Sequence, residues 1–153
     1  MNTIKNNGYT FIKFIEMKEE MIINYPLSGS FAVVVFNDRL LLCYNTFRKQ
    51  WELPAGHREL GETPKNCAIR ELFEETGQKV NELQFWGLLV SENEKNYTIK
   101  YNPVYYSSIE KLSPFLVNDE TTRITLWDGK SELGPIDNVD FELIKVILLA
   151  KGD

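Results

Sequence analysis

The sequence is short of several things, and each shortage narrows what the protein can be. It has one histidine, His57, so no site built from several histidines can form. It has two cysteines, Cys43 in an apolar run and Cys67 in a predicted helix, with no CxxC or Cys–His spacing. That pattern argues against a disulfide framework or a zinc site and predicts two reduced, buried thiols. The longest apolar runs, Phe31 to Phe36 and Val146 to Ala150, fall far short of the ~20 residues that cross a bilayer. The N-terminal MNTIKNNGYTFIKFIEMKEE is broken by Asn, Lys and Glu and lacks the apolar centre of a signal peptide. The cytosol is the expected location, with no membrane partner. Basic residues are in deficit, 17 Lys+Arg against 22 Asp+Glu, for a net charge of −5. A nucleic-acid polymer would be repelled on average, so no such partner is expected. A phosphorylated small molecule stays open, provided that a cation bridges the two. Repeats, low-complexity tracts and linkers are also missing, so the 153 residues are expected to form one domain, 1–153.

What is present alternates between strand and helix signals. Residues 1–8 are polar and expected to fray. Tyr9 to Glu16 reads as a strand, and Phe31 to Phe36 and Leu40 to Tyr44 flank the turn signal Asn37-Asp38 as a hairpin with two buried faces. Trp51 to Leu53 is a short extended piece ended by Pro54. Leu83 to Val90 is a strand, Ser91 to Asn96 a turn, Tyr97 to Ser107 a strand with a break at Pro103, and Arg123 to Trp127 a short strand. Asp137 to Ala150 carries helical spacing at Val139, Leu143, Ile144, Ile147 and Leu148, with Asp137 or Asn138 as cap and Gly152 as stop. The expected class is α+β, a mixed sheet packed between helices.

The densest signal runs from Gly56 to Gly77, GHRELGETPKNCAIRELFEETG. Thr63 can cap a helix, Pro64 suits its first position, and Gly77 supplies the left-handed residue that ends it. At about 100° per residue, Glu71, Glu74 and Glu75 share one face, while Ala68, Ile69, Leu72 and Phe73 fall mostly opposite. Like charges at this spacing cost a few tenths of a kcal/mol per pair. Only Arg70 is interleaved to offset them, whereas a divalent cation would remove the penalty, and clustered oxygens suit Mg²⁺ or Mn²⁺.

These residues resemble the Nudix box, G-x5-E-x7-R-E-U-x-E-E-x-G-U with U apolar. Gly56, Glu62, Arg70, Glu71, Leu72, Glu74, Glu75 and Gly77 match at the right spacing, and Gln78 departs from the final apolar position. The resemblance implies a Nudix-type αβα sandwich and a Mg²⁺-dependent hydrolase that cleaves a diphosphate linkage in a nucleotide. It implies Glu74 and Glu75 as central metal ligands, with the Gly56 carbonyl as another. Glu71 would be a ligand or the base toward water, Arg70 would orient a box glutamate, and Glu62 would be an outer ligand or a loop anchor. Homodimers are common in the family it resembles.

Outside the box, some members of that family use a further carboxylate ~40 residues on, and Glu120 is the candidate here, beside Asp119. Phe47, Arg48 and Trp51 precede the box and could meet phosphates or stack on a base. Tyr97 is a further substrate candidate. His57 is read as a solvated loop residue. The compact size resembles the MutT-like branch, which cleaves nucleoside triphosphates, ordinary or oxidised, to a monophosphate and pyrophosphate. The alternatives are a nucleotide-sugar or dinucleoside polyphosphate hydrolase, or a catalytically silent nucleotide-binding module.

Overall fold

A computed structural model describes residues 4–151. In chain order the strands are β1 (Ile4–Lys5), β2 (Tyr9–Glu16), β3 (Ser30–Phe36), β4 (Arg39–Asn45), β5 (Gln50–Glu52) and β6 (Ala55–Gly56), followed by β7 (Gln84–Asn93), β8 (Ile99–Ser108), β9 (Thr121–Trp127) and β10 (Ile136–Asp137). The helices are α1 (Pro64–Thr76) and α2 (Asn138–Lys151), and a 3₁₀ turn covers Glu19–Asn24. The sheet runs β1-β10-β5-β4-β3-β8-β7-β2, with β6 added on β3 and β9 on β4. It is mixed: β3 and β8 are parallel, whereas β7 pairs antiparallel with both β8 and β2.

The apolar runs are continuous because both faces of the sheet are covered. On β3 and β4, Val33, Val35, Leu40 and Leu42 face one way and join Leu53, Leu89, Val104 and the α2 residues Val139, Leu143, Ile144 and Ile147. Ala32, Val34 and Leu41 face the other way and meet Ala68 and Leu72 of α1 with Leu83 and Tyr105. One sheet thus separates two cores, and each helix closes one of them, as expected for an αβα sandwich. The hairpin forms as read, with Asn37 and Asp38 both at positive φ (50° and 62°), the conformation a two-residue turn needs to follow strand twist.

Four expectations are corrected. β8 runs through Pro103 without a break: its ladder with β3 begins only at Val104, past the missing N–H, and the Asn102 side chain bonds to Gly29 beside it. β7 continues to Asn93, which shortens the turn after it. Ile4 and Lys5 are paired with Ile136 and Asp137 rather than frayed, and residues 1–3 lie outside the described residues. Phe73 is 40% exposed instead of packing on the sheet. The predicted stop of α2, Gly152, also lies outside the described residues. Among those described, no helix is long and apolar enough to cross a membrane.

Candidate active site

Helix α1 positions most of the site. Thr63 Oγ1 accepts from the Asn66 N–H (3.1 Å), Pro64 takes the first helical position, and Gly77 at φ 84° returns its N–H to the Phe73 carbonyl. Burial of Cys67, Ala68, Leu72 and Thr76 fixes the roll of the helix and turns Arg70, Glu71 and Glu74 toward the loop from His57 to Glu62. β6 brings Ala55 and Gly56 alongside Phe31 and Ser30, and Ser30 Oγ donates to the Pro64 carbonyl. The backbones approach closely here. A Cβ on Gly29 would overlap the Gly56 carbonyl, and one on Gly56 would overlap the Glu71 carboxylate. Only glycine fits either position.

Arg70 divides the acidic residues into two groups. Its guanidinium grips Glu62 through two bonds (Nε to Oε2, 2.7 Å; Nη2 to Oε1, 2.9 Å) and reaches Glu71 (3.2 Å) and Glu74 (3.1 Å) through Nη1. Nη2 also donates to the His57 carbonyl at 2.9 Å. The Arg70 bonds hold the Glu62 carboxyl below the usual range, and Glu62 in turn accepts from the Glu59 N–H. Glu62 therefore ties the loop to the helix.

Glu75 points the other way. It is 8% exposed, accepts from the Ala55 N–H (3.0 Å) and lies 3.9 Å from Cys43 Sγ. Burial, and after it Glu71 and Glu120, push its carboxyl up to about 9. Burial also raises Glu71, with Arg70 opposing. Glu120 arrives on the loop before β9: its N–H donates to Asn118 Oδ1, its carbonyl accepts from Thr46 N–H, and next to it Thr121 Oγ1 donates to the Glu75 carbonyl. Glu71, Glu75 and Glu120 thus repel one another across one hollow that the Gly56 loop borders. Among the described residues no three Asp, Glu, His or Cys side chains already converge as a metal cage. The donor set still fits a hard divalent cation: three mutually repelling carboxylates, two of them with pKa values raised by burial.

A cavity of about 320 Å³ opens beside Gly56 and His57, on the α2 side of the sheet. Phe31, Leu53, Leu89 and Val139 give it apolar walls, and Asn102, Asp137 and Asp140 add polar atoms. Of the substrate candidates, Arg48 lines this cavity, but Glu52 holds it through Nε (2.7 Å) and Nη2 (3.0 Å). Phe47 is 72% exposed and Tyr97 69%, in the turn between β7 and β8. Trp51 is core, with Nε1 donating to the Leu133 carbonyl. None of these three lines the cavity. The sequence reading missed Asn102, Ser91 and Asp140. The signal available was alternation: Asn102 and Ser91 are polar residues on the strand face that also carries Val104 and Leu89.

The family model described as NUDIX domain matches residues 26–134. A probable DHNTP pyrophosphohydrolase of Lactococcus lactis subsp. cremoris (strain MG1363) is 39% identical over 80 residues, 46% of this chain and 47% of that protein. A MutT-like protein of Streptomyces ambofaciens is 41% identical over 56 residues, 37% of this chain and 36% of that protein. The matches thus span about half or less of these relatives. Among solved structures, the Bacillus subtilis pyrophosphohydrolase BsRppH (E68A mutant) has a TM-score of 0.66 at 19% identity, covering 91% of this chain and 87% of that one. The NUDIX domain of Shewanella oneidensis NrtR, complexed with ADP ribose, has a TM-score of 0.68 at 17% identity, covering 88% and 99%. The two structures share the fold, the family model spans the site from the loop before β3 to the loop after β9, and the chain belongs to the NUDIX family.

Proposed function

We propose that the protein is a Mg²⁺-dependent pyrophosphohydrolase that cleaves a nucleoside triphosphate with water to a nucleoside monophosphate and pyrophosphate. The observation that carries this reading is the crowding of Glu71, Glu75 and Glu120 beside the Ala55–Gly56 backbone, the same backbone that lines a cavity large enough for a heterocycle. The relative described as a pyrophosphohydrolase supports it.

Glu75, Glu120 and Glu74, with the Gly56 carbonyl, would hold the divalent cation. The cation, when bound, supplies charge neutralisation of the diphosphate oxygens and makes its bound water more acidic. Glu71 is raised by burial and sits against Gly56, so it can accept the proton of the attacking water. Arg70 orients Glu71 and Glu74, and with Glu62 it keeps the His57–Glu62 loop in place. Phe47 and Tyr97, exposed on loops, remain candidates to cover a bound nucleotide.

A nucleotide panel with product identification tests this. It should include nucleoside triphosphates, nucleotide sugars and dinucleoside polyphosphates. Release of pyrophosphate from a triphosphate, abolished in Glu75→Gln while the fold survives, is the expected result. Cleavage confined to a nucleotide sugar or dinucleoside polyphosphate would move the substrate class. Nucleotide binding without any turnover would make the protein a binding module.

A further inference from the structure

Three successive turns of α1 touch the short strand β6, and one of the three contacts comes from a thiol. Cys67, Glu71 and Glu75 stand four residues apart, so they form one stripe along the helix. Each meets a different backbone group of β6. Glu75 accepts from the Ala55 N–H at 3.0 Å. The Glu71 carboxylate lies so close to the Gly56 Cα that a Cβ there would overlap Oε2. Cys67 Sγ lies 3.2 Å from the Gly56 carbonyl oxygen. A carbonyl can only accept, and a buried thiol keeps its proton at neutral pH, so the S–H donates.

The surroundings set this cysteine apart from core filling. Cys67 is completely buried, yet it joins neither apolar core, unlike its neighbours on the helix Ala68 and Leu72. Gly29 packs closely on the Gly56 carbonyl, and Asn102 Nδ2 holds the Gly29 carbonyl at 2.7 Å. One residue on, Arg70 Nη2 holds the His57 carbonyl at 2.9 Å. The Gly56–His57 backbone is thus fixed at one Cα by Glu71, at one carbonyl by Arg70 and at the other by the thiol. A carbonyl oxygen has two lone pairs, and the thiol engages one of them.

We propose that Cys67 is a positioning residue for the cation: its thiol aims the Gly56 carbonyl and so sets how tightly the hollow of Glu71, Glu75 and Glu120 binds a divalent ion. The inference rests on the reading given above, in which that carbonyl and the neighbouring carboxylates hold the ion. A weak donor suits the task. It fixes the direction of the oxygen while withdrawing little of the electron density that a cation needs.

The test titrates Mn²⁺ into the full chain without nucleotide and reads the free ion by electron paramagnetic resonance. Cys67→Ala should bind Mn²⁺ about three- to tenfold more weakly than wild type, the scale of one net hydrogen bond. Cys67→Ser keeps a donor on a shorter bond and should recover part of the loss. A cysteine that only fills space would change the melting point in EDTA and leave the affinity alone. Equal or tighter Mn²⁺ binding by folded Cys67→Ala therefore overturns the proposal and leaves the cation site standing. A wild-type chain that binds no Mn²⁺ at millimolar concentration removes the cation site, and the role of Cys67 with it. A second measurement needs no change at Cys67. The chain has two cysteines, so Cys43→Ala leaves Cys67 as the source of the S–H stretching band in the infrared spectrum. Binding of Mg²⁺ at the Gly56 carbonyl should shift that band. A band that stays in place with the ion bound overturns the proposal even where Cys67→Ala fails to fold.

Discussion

Asp140 is a carboxyl buried outside the box. It is 6% exposed, in the first turn of α2, and burial raises its pKa well above normal, with Asp137 and then Glu52 adding repulsion. The Leu53 N–H, which donates to Oδ2 at 2.9 Å, opposes that rise. The sign of the linkage follows. A carboxyl whose folded pKa lies above its unfolded value of ~3.9 favours the fold in its protonated form. That contribution is complete below the unfolded pKa and is lost as pH rises toward the folded one. Asp140→Asn keeps an oxygen for Leu53 and can donate to Asp137, but it never ionises. The variant should therefore melt higher than wild type at pH 7–8, and the gap should close near pH 4. Thermal melts across that range check it, and a gap independent of pH would mean that Asp140 does not titrate in the fold.

At the scale of elements, the place where the box departs from its pattern turns out to have a structural use. Gln78 stands where the family pattern has an apolar residue, and it is 2% exposed. Its amide pairs with the backbone of Ser113 in both directions, Nε2 to the carbonyl at 2.7 Å and the Ser113 N–H to Oε1 at 2.8 Å. The two bonds clamp the irregular segment between β8 and β9 against the end of α1, and that segment delivers Glu120. Gly77 is pressed by the same segment, since a Cβ there would meet the Pro114 carbonyl at 2.6 Å. Gln78→Leu restores the pattern but leaves both Ser113 groups unpaired, a loss of about 1–3 kcal/mol for buried polar groups. We expect the variant to melt lower and its turnover to fall, because Glu120 would no longer be held at the site, with the substrate KM little changed. Wild-type kcat in a destabilised Gln78→Leu would show that the clamp supports the fold alone.

Across the whole molecule, what could be read from sequence was whatever depends on neighbours along the chain. The cap at Thr63, the stop at Gly77, the hairpin at Asn37-Asp38 and the α2 stripe are local, and each appears within a residue or two of its expected place. Helical spacing made the cluster of Glu71, Glu74 and Glu75 legible, but not its division: Glu74 stays exposed on Arg70, while Glu75 turns into the buried side against the Ala55 N–H. Long-range pairing was not legible. The two-residue strands β1, β6 and β10 carry no pattern of their own and exist only through their partners. Asn102 and Asp140 are 38 positions apart by their numbering, and only the sheet and α2 bring them to one cavity. Trp51, a stacking candidate for which packing beneath the loop was the favoured reading, is buried with its Nε1 donating to the Leu133 carbonyl, a partner 82 positions away that its own neighbours do not reveal.

The same long-range assembly gives the folded state a strained acidic centre in a chain already at −5. Glu75 and Glu71 are taken from water into a hollow that Glu120 also charges, which costs the fold stability, and a cation bound there would offset that cost. A ligand that binds only the native state stabilises it by RT ln(1 + [L]/Kd), about 2.7 kcal/mol at a hundredfold excess over Kd. Mg²⁺ without nucleotide should therefore raise Tm by several degrees, and Na⁺ at matched ionic strength should not. Glu75→Gln should show the converse in one measurement: a higher melting point than wild type in EDTA near neutral pH, because Gln avoids the cost of protonating a carboxyl held at about 9 in the fold, and no further rise with Mg²⁺. A wild-type protein indifferent to Mg²⁺, or a Glu75→Gln variant that still gains from it, would move the cation away from this hollow and take the proposed chemistry of Glu71, Glu75 and Glu120 with it.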